Sequence, residues 1–233
     1  MRVESLREQV LEANLELVRR GLVLYTFGNA SGISRQEGLI AIKPSGVPYE
    51  QLTPEQIGVV DLAGNIVEGH LRPSSDLPTH VELYRQCPTI GGVAHTHSEF
   101  ATAWAQARRS IPCFGTTHAD YFKRPVPVTD PLTDDEIQND YEKNTGIAIC
   151  RILDKADPMA CPAALVAGHA PFCWGADVAE AAHKAVILEY VAKMACRTLS
   201  ARSDALPSQQ ELQDKHQLRK HGVGANCGQA PSR

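Results

Sequence analysis

The sequence predicts an α/β domain in three layers, with helices on both sides of a central sheet. Apolar segments of strand length alternate along the chain with segments of helical periodicity, which is the pattern of such a fold. The 233 residues suit one large domain with a sizeable core. Because no internal repeat, linker or low-complexity segment interrupts the pattern, we expect a single domain over residues 1–233, ending in a flexible tail from about residue 223.

Composition and charge argue against several classes of protein. Hydrophobic residues make up 43% and charged residues 21%, as in an ordinary globular protein. The net charge is -4 and no Lys/Arg block exceeds two residues, so we expect neither a nucleic acid nor a membrane as partner. The charged first residues lack the apolar core of a signal peptide, and no apolar run reaches membrane-spanning length. We therefore expect a cytoplasmic protein.

The seven cysteines predict neither a disulfide framework nor a cysteine-ligated zinc site. Their number is odd, and no two of them form a Cys-x-x-Cys pair. We expect most of them to be small buried apolar residues.

The first part of the chain predicts a structural helix and a strand, followed by a loop. Residues 5–20 have the apolar stripe of an amphipathic helix, and Gly21 stands where a C-terminal cap belongs. Residues 22–26 are typical of a strand. The segment 27–32 then has two glycines and several small polar residues, which predicts a loop whose amides suit an anion. Turn chemistry alone is the alternative interpretation, and this composition by itself favours it.

A second strand, residues 38–42, ends in Lys43, Pro44, Ser45 and Gly46. A cation, a hydroxyl and a glycine turn together suit a phosphate, although they match no Walker pattern. Residues 53–56 have capping-box spacing and predict a short helix.

A hairpin and a third polar turn follow. Residues 59–61 and 66–68 flank a turn and predict the two strands of the hairpin. The third polar turn precedes a helix predicted over residues 79–86, and it contains Asp76. This aspartate is either a functional acid or only the N-cap of that helix.

The histidines give the sharpest functional signal. His95 and His97 follow an apolar, strand-like run, and alternation along a strand places both imidazoles on one face. Two half-buried polar residues are the alternative interpretation. His169 ends another apolar run, residues 163–168. Three imidazoles leave a fourth position open on zinc, as catalytic zinc sites do.

The remaining segments predict mostly helices. Residues 99–107, 133–143, 177–199 and 207–220 have helical patterns, and residues 147–153 suit either a strand or a buried helix. The long helix over 177–199 is apolar on more than one side, which favours a subunit interface. Residues 115–121 have the composition of a functional loop or of a solvated one.

Seven segments together resemble the L-ribulose-5-phosphate 4-epimerases of the class II aldolase/epimerase superfamily. They are Gly28-Asn29, Lys43-Pro44-Ser45-Gly46, residues 73–80, His95-Thr96-His97-Ser98, residues 115–121, His169-x-Pro171-Phe172 and residues 215–222. The resemblance runs from about residue 6 to residue 229. It implies a central, largely antiparallel sheet and a cyclic homotetramer with active sites between subunits.

The resemblance also implies a site for a small sugar phosphate and a divalent metal ion. His95, His97 and His169 match the metal ligands, and Asp76 matches an acidic residue at the metal, where related aldolases have glutamate. Zinc is expected, although imidazoles also accept cobalt or manganese. The positions that match the phosphate site are Gly28, Asn29, Lys43, Ser45, Gly46, Ser74 and Ser75.

The activity implied is the interconversion of L-ribulose 5-phosphate and D-xylulose 5-phosphate. The C3–C4 bond breaks in a retro-aldol step, the aldehyde rotates, and the bond forms again. Asp120 matches one proton-transfer residue, reaching a neighbouring subunit's site, and His216 is expected to support the site near the terminal helix. Cys227 stands where the family has its second one, a tyrosine, and a thiol lacks the reach of the phenol ring. We therefore predict slow epimerisation or a shifted substrate.

Two other functions stay open. A class II aldolase acting on a related ketose or ketose phosphate would release its aldehyde, so free fragments would favour it. A non-catalytic scaffold similar to the adducin head would lack the metal, and the three histidines argue against it.

Overall fold

The computed structural model describes residues 3–153 and 157–221, and all structural statements refer to these residues. The helices are α1 Val3–Arg19, α2 Leu77–Gln86, α3 Glu99–Gln106, α4 Thr116–Tyr121, α5 Asp134–Gln138, α6 Tyr141–Ile152, α7 Val178–Ala201 and α8 Gln210–His221. The strands are β1 Asn29–Ser34, β2 Leu39–Ile42, β3 Gly58–Asp61, β4 Ile66–Glu68, β5 Gly92–His95, β6 Ala163–Leu165 and β7 Pro171–Gly175. Three short 3₁₀ helices span Tyr49–Gln51, Pro54–Gln56 and Pro158–Ala160.

The seven strands form one sheet in the order β4-β3-β2-β1-β5-β7-β6. Every pair of neighbouring strands in this order is antiparallel. The helices flank the sheet, so the predicted three-layer α/β fold with a largely antiparallel sheet is confirmed. Strand β5 lies between β1 and β7, and its last residue, His95, pairs with Asn29 on one side and Phe172 on the other.

The two faces of the sheet carry side chains of different size. Small residues such as Ala41 face the core with α1 and α7, whereas Ile40 and Ile42 face the core with α2 and α6. A Cβ on Gly92 would lie 2.4 Å from the backbone of Asp177, next to the first residue of α7. Only glycine therefore allows α7 to approach β5 this closely.

The structure differs from the sequence prediction around the first strand. Residues 22–26 form a loop, so the strand predicted there is wrong, and β1 lies instead across much of the predicted loop 27–32. Tyr25 has a φ of 52°, outside the range of a strand, and its side chain is exposed. The small residues of β1 were misleading, since a Cβ on Gly32 would touch Leu6 and Val10 of α1. The small residues of β1 leave space for the helices that pack on this strand, and they do not form a loop.

The predicted helix over residues 133–143 is two helices. The capping box of Thr133 and Glu136 is present and begins α5, but this helix ends at Gln138. Asp140 has a φ of 56°, which turns the chain before α6 begins. Residues 147–153 belong to α6 up to Ile152, so the buried-helix alternative is confirmed.

The loop predicted over residues 115–121 is wrong, because Thr116–Tyr121 form the helix α4. Most other predicted elements are confirmed. They include α1, the β3–β4 hairpin, α3, α7 and α8, with ends shifted by up to three residues, and the predicted helix at 53–56 is a 3₁₀ turn.

Within the described residues, none of the helices combines the length and apolar character needed to cross a bilayer. The tail predicted from about residue 223 and the position Cys227 lie outside the described residues, and the single-domain boundary of 1–233 stays a prediction.

Candidate active site

Three imidazoles meet at one end of β5. His95 is the last residue of the strand, His97 follows two residues later, and His169 lies in the turn between β6 and β7. The ring centroids are 4.9 to 5.1 Å apart. One nitrogen from each ring lies within 4.8 Å of the other two. The fold therefore brings together three histidines that the sequence predicts as metal ligands.

The hydrogen bonds of His95 suit a metal ligand. Its Nδ1 lies 2.9 Å from the carbonyl oxygen of Pro171, which can only accept, so Nδ1 carries the proton and Nε2 carries a lone pair. The ring stacks on Phe172 with centroids 4.1 Å apart, which fixes its plane. This lone pair faces Nε2 of His97 at 3.2 Å.

The spacing of these nitrogens fits a tetrahedral cation. Zinc–nitrogen bonds of about 2.0–2.1 Å and tetrahedral angles place two ligand nitrogens about 3.3 Å apart. Either a proton or a cation must separate two imidazole nitrogens at 3.2 Å. Burial lowers the pKa of His95 to about 3 and also lowers the pKa values of His97 and His169. All three are therefore neutral at pH 7, as metal ligands must be.

Asp76 lies beside the imidazoles and does not act as a helix cap. It occupies the N-cap position of α2, but its side chain makes no capping bond. Instead its Oδ2 accepts a hydrogen bond of 2.7 Å from the Asn29 amide. Burial raises the pKa of Asp76, but the imidazoles of His95 and His80 and the Asn29 bond together outweigh burial and lower it. The carboxylate therefore adds negative charge next to the three imidazoles, which favours a cation there.

Hydrogen bonds join the three predicted phosphate loops. The backbone N–H of Ser45 donates to the backbone carbonyl of Arg72 at 2.9 Å, and the backbone N–H of Ser74 donates to the backbone carbonyl of Lys43 at 3.0 Å. The Asn29 amide nitrogen, which also donates to Asp76, lies 3.0 Å from Oγ of Ser74. Three turns that are far apart in sequence therefore form one continuous wall.

Lys43 supplies the positive charge of this wall. Its ammonium lies 3.2 Å from the Pro44 carbonyl oxygen and 4.6 Å from the ring centroid of Tyr49. Neither contact neutralises the charge, and burial lowers the pKa of Lys43 to about 8. The Tyr49 hydroxyl donates to the Gly28 carbonyl at 2.9 Å, so one ring supports both Lys43 and the first loop. A bound phosphate would supply the missing counter-charge.

Gly28 sets the position of the first loop against the metal-site strand. Its φ is 76°, and an added Cβ would lie 2.7 Å from the carbonyl oxygen of His95. Only glycine fits both conditions.

One cavity of about 460 Å³ connects the imidazoles with the phosphate loops. All seven predicted phosphate residues line it, together with Asp76, His97 and His169. Its wall also contains Tyr141 and Glu142, which the sequence did not single out. The Tyr141 hydroxyl lies 3.4 Å from Nδ1 of His169. No local motif marks these two residues, because they become part of the site only through the packing of α6.

The structure groups Asp120 and His216 in a different place. Oδ1 of Asp120 lies 2.9 Å from Nδ1 of His216, and Arg219 contacts the same carboxylate at 3.3 Å. Among the described residues that line the cavity, neither Asp120 nor His216 appears. The two residues contact each other away from the imidazoles of the same chain, and their predicted roles stay predictions. Cys227 lies outside the described residues.

The sequence profile of the class II aldolase and adducin N-terminal domain matches residues 8–196. The chain belongs to this family. The match spans the whole sheet and every residue of the cavity wall.

Several solved structures are similar to this chain over most of its length. An L-fuculose 1-phosphate aldolase has 24% identity and a TM-score of 0.78, over 92% of this chain and 95% of that one. YgbL from Klebsiella pneumoniae, a candidate aldolase, epimerase or decarboxylase, has 24% identity and a TM-score of 0.73, over 92% and 99%. The L-fuculose-1-phosphate aldolase of Thermus thermophilus has 25% identity and a TM-score of 0.68, over 85% and 97%. These likenesses support the fold at levels of identity that leave the substrate open.

Proposed function

We propose that the chain is a divalent-metal-dependent epimerase that interconverts L-ribulose 5-phosphate and D-xylulose 5-phosphate. The observation that carries this proposal is the single cavity that joins the imidazole cluster to the phosphate loops. A ketose phosphate has the matching chemistry, with carbonyl and hydroxyl oxygens toward one end and a phosphate at the other. Membership in the class II aldolase family supports aldol-type chemistry on such a substrate.

One group of cavity residues would bind the cation, and another would bind the substrate's phosphate. His95, His97 and His169 would hold the cation, zinc or else cobalt or manganese, with Asp76 beside them. The cation would supply Lewis acidity at the substrate's carbonyl oxygen. Lys43 and the loops around it would hold the phosphate through charge-assisted hydrogen bonds.

Retention of the aldehyde separates epimerisation from cleavage. When the C3–C4 bond opens, the two-carbon aldehyde carries the phosphate, so Lys43 and the serine hydroxyls would keep it in the cavity. The held fragment can rotate and present its other face before the bond forms again. The aspartate at position 76, where related aldolases have glutamate, also favours the epimerase.

A class II aldolase that releases its fragments is the second candidate. The similarity to solved L-fuculose phosphate aldolases favours it. A metal-free scaffold similar to the adducin head is the least favoured, because it would not need three neutral imidazoles with converging nitrogens.

Asp120 would act in the site of a neighbouring copy of the chain. Its carboxylate is held by His216 and Arg219 outside the cavity of its own chain, so a homotetramer with shared sites would give it a function. Mixing Asp120→Ala subunits with His97→Ala subunits tests this. If the sites are shared, some mixed sites keep both wild-type residues, and activity returns above that of either variant. If activity stays absent, Asp120 does not act across an interface.

The decisive experiment incubates metal-loaded protein with L-ribulose 5-phosphate and follows the products by NMR. The proposal predicts D-xylulose 5-phosphate without accumulation of fragments. Free glycolaldehyde phosphate and dihydroxyacetone would instead identify an aldolase. The absence of all three products would contradict both enzymatic functions for this substrate.

A further inference from the structure

We propose that Tyr141 is a catalytic residue that transfers a proton at the substrate's C4 oxygen, from the same subunit that supplies the three imidazoles. This inference rests on the proposed function. The reaction needs proton transfer at the C4 oxygen, and within this chain Asp120 lies away from the cavity. Tyr141 lines the cavity beside His97 and His169.

The backbone of Tyr141 is firmly held. Asp140, with its φ of 56°, ends the preceding turn and makes Tyr141 the first residue of α6. The Tyr141 carbonyl accepts a hydrogen bond of 2.9 Å from Oγ1 of Thr145. The next carbonyl, that of Glu142, accepts one of 2.6 Å from Oγ1 of Thr79 in α2. Two helices therefore fix the point from which the phenol ring extends into the cavity.

The phenol oxygen touches the imidazole cluster while keeping hydrogen-bonding capacity for a substrate. Its distance of 3.4 Å to Nδ1 of His169 is long for a hydrogen bond, so this contact holds the hydroxyl only weakly. If Nε2 of His169 binds the cation, Nδ1 carries a proton and donates to the phenol oxygen, and the phenol proton can point into the cavity. If Nδ1 binds the cation, it has no proton to donate, and the phenol hydroxyl can turn toward the cavity.

Either arrangement lets the hydroxyl face the cavity, in which C4 would lie between the substrate's carbonyl end at the imidazoles and its phosphate at the loops. During cleavage, the Asp120 carboxylate of a neighbouring copy would take the proton of the C4 hydroxyl, the O–H electron pair forms the C4 carbonyl, and the C3–C4 pair moves to C3. During recondensation, that pair forms C3–C4 again and the carbonyl π pair moves to the C4 oxygen. This oxygen takes the proton of Tyr141, and the phenolate recovers, through water, the proton that the carboxylate took during cleavage.

The test compares Tyr141→Phe with Tyr190→Phe, a control that removes a hydroxyl from an exposed tyrosine of α7. Both variants are loaded with cobalt. The visible absorption of bound cobalt reports its coordination without turnover, and a chelator titration reports its affinity. Inorganic phosphate binding checks that the rest of the cavity is intact. Turnover of L-ribulose 5-phosphate then gives kcat and KM.

For Tyr141→Phe we expect an unchanged cobalt spectrum, unchanged phosphate binding and a KM within about threefold of wild type. We expect kcat to fall by about 10²–10⁴, the usual contribution of a proton-transfer residue. Tyr190→Phe should match wild type in every measurement. If kcat of Tyr141→Phe stays within threefold, Tyr141 is not a catalytic residue.

Loss of activity has a second explanation that the cobalt measurements separate. If Tyr141 only orients His169, its substitution should weaken metal binding by about 10–100-fold, and excess metal should restore kcat. That result would also overturn the inference. If wild-type protein forms neither epimer nor fragments, the proposed function fails, and the inference fails with it. If the wild-type protein converts the substrate and Tyr141→Phe has a similar kcat, only the inference fails.

Discussion

The two ends of the cavity are built in different ways. At the metal end, His95 and His97 are two residues apart, and a backbone carbonyl and a stacked phenylalanine ring fix the plane of His95. At the phosphate end, three turns from distant parts of the sequence meet, and hydrogen bonds between the turns hold them together. The charge at that end comes from Lys43, whose contacts with Pro44 and Tyr49 bring no opposite charge.

This difference predicts different consequences of substitution. Removing an imidazole leaves too few ligands for the cation, so the chemistry should stop. Removing one contact from the phosphate wall leaves several others, so binding should weaken while chemistry continues. Substitutions at the two ends should therefore change different kinetic parameters.

The largest effect is expected for His97→Ala. His97 is the most exposed of the three imidazoles, so its removal should leave the fold intact. A lost ligand removes a Lewis acid worth several kcal/mol of transition-state stabilisation, and kcat/KM should fall by about 10³-fold or more. Elemental analysis should show less than one metal ion per chain. His70→Ala, an exposed histidine in another turn, serves as the control. Full metal content in His97→Ala would remove this residue from the ligand set.

Lys43→Met should raise KM and leave kcat nearly unchanged. A hydrogen bond to a charged group contributes about 1.5–3 kcal/mol, so KM should rise by about 10–150-fold. The matched control is Lys193→Met, because Lys193 also lies over an aromatic ring, 5.5 Å from the centroid of Phe100, but is exposed. A change in kcat with constant KM would mean that the two ends of the cavity are not separate in function.

The activity should also depend on pH through Lys43. Because burial lowers its pKa to about 8, the free enzyme loses the ammonium above this pH, and kcat/KM should fall tenfold per further pH unit. Lys43→Arg should stay charged and move this fall to higher pH. A wild-type profile that stays flat to pH 9.5 would contradict the assignment.

The buried Lys43 ammonium also makes the free energy of unfolding depend on pH, and this free energy should rise over the pH range in which kcat/KM falls. Between pH 8 and its ordinary value of 10.5, Lys43 binds more protons in the unfolded chain than in the folded one. Its unfavourable contribution to folding is therefore complete below pH 8 and declines as pH rises through this window. Urea unfolding of wild type and Lys43→Met at pH 7 and pH 10 should show the difference between them shrink.

The smallest effect is expected for Tyr49→Phe. The ring under Lys43 remains, and only the hydrogen bond to the Gly28 carbonyl is lost. A net cost of about 1 kcal/mol should raise KM by about fivefold with kcat unchanged. Tyr190→Phe again provides the comparison, and a KM equal to that control would show that the link between Tyr49 and Gly28 does not support phosphate binding.

The sequence predicts the metal end better than the phosphate end for a physical reason. His95 and His97 are two residues apart, so local sequence spacing already indicated that they lie together, although β5 ends at His95. Two strand-like runs on either side of a turn, residues 59–61 and 66–68, predict the hairpin in the same local way. The meeting of Lys43 with Ser74 depends on backbone pairing between distant turns, and only family resemblance indicated it. Tyr141 enters the site because α6 packs on α2, a contact that no local pattern encodes.

The misplaced first strand has a related cause. Gly32 and its small neighbours have the composition of a loop, but the size of these residues is set by α1, which packs against them. Local propensity therefore gives the wrong secondary structure here, because packing against α1 determines which residues occupy β1.

The central claim is that His95, His97 and His169 bind one divalent cation at the edge of the phosphate-binding cavity. A crystal structure of the cobalt-loaded protein, with anomalous scattering recorded at the cobalt edge, tests it most directly. We expect one anomalous peak about 2.0–2.2 Å from a nitrogen of each of the three rings. An anomalous map with no peak between the rings, or with rings that point apart, would contradict it.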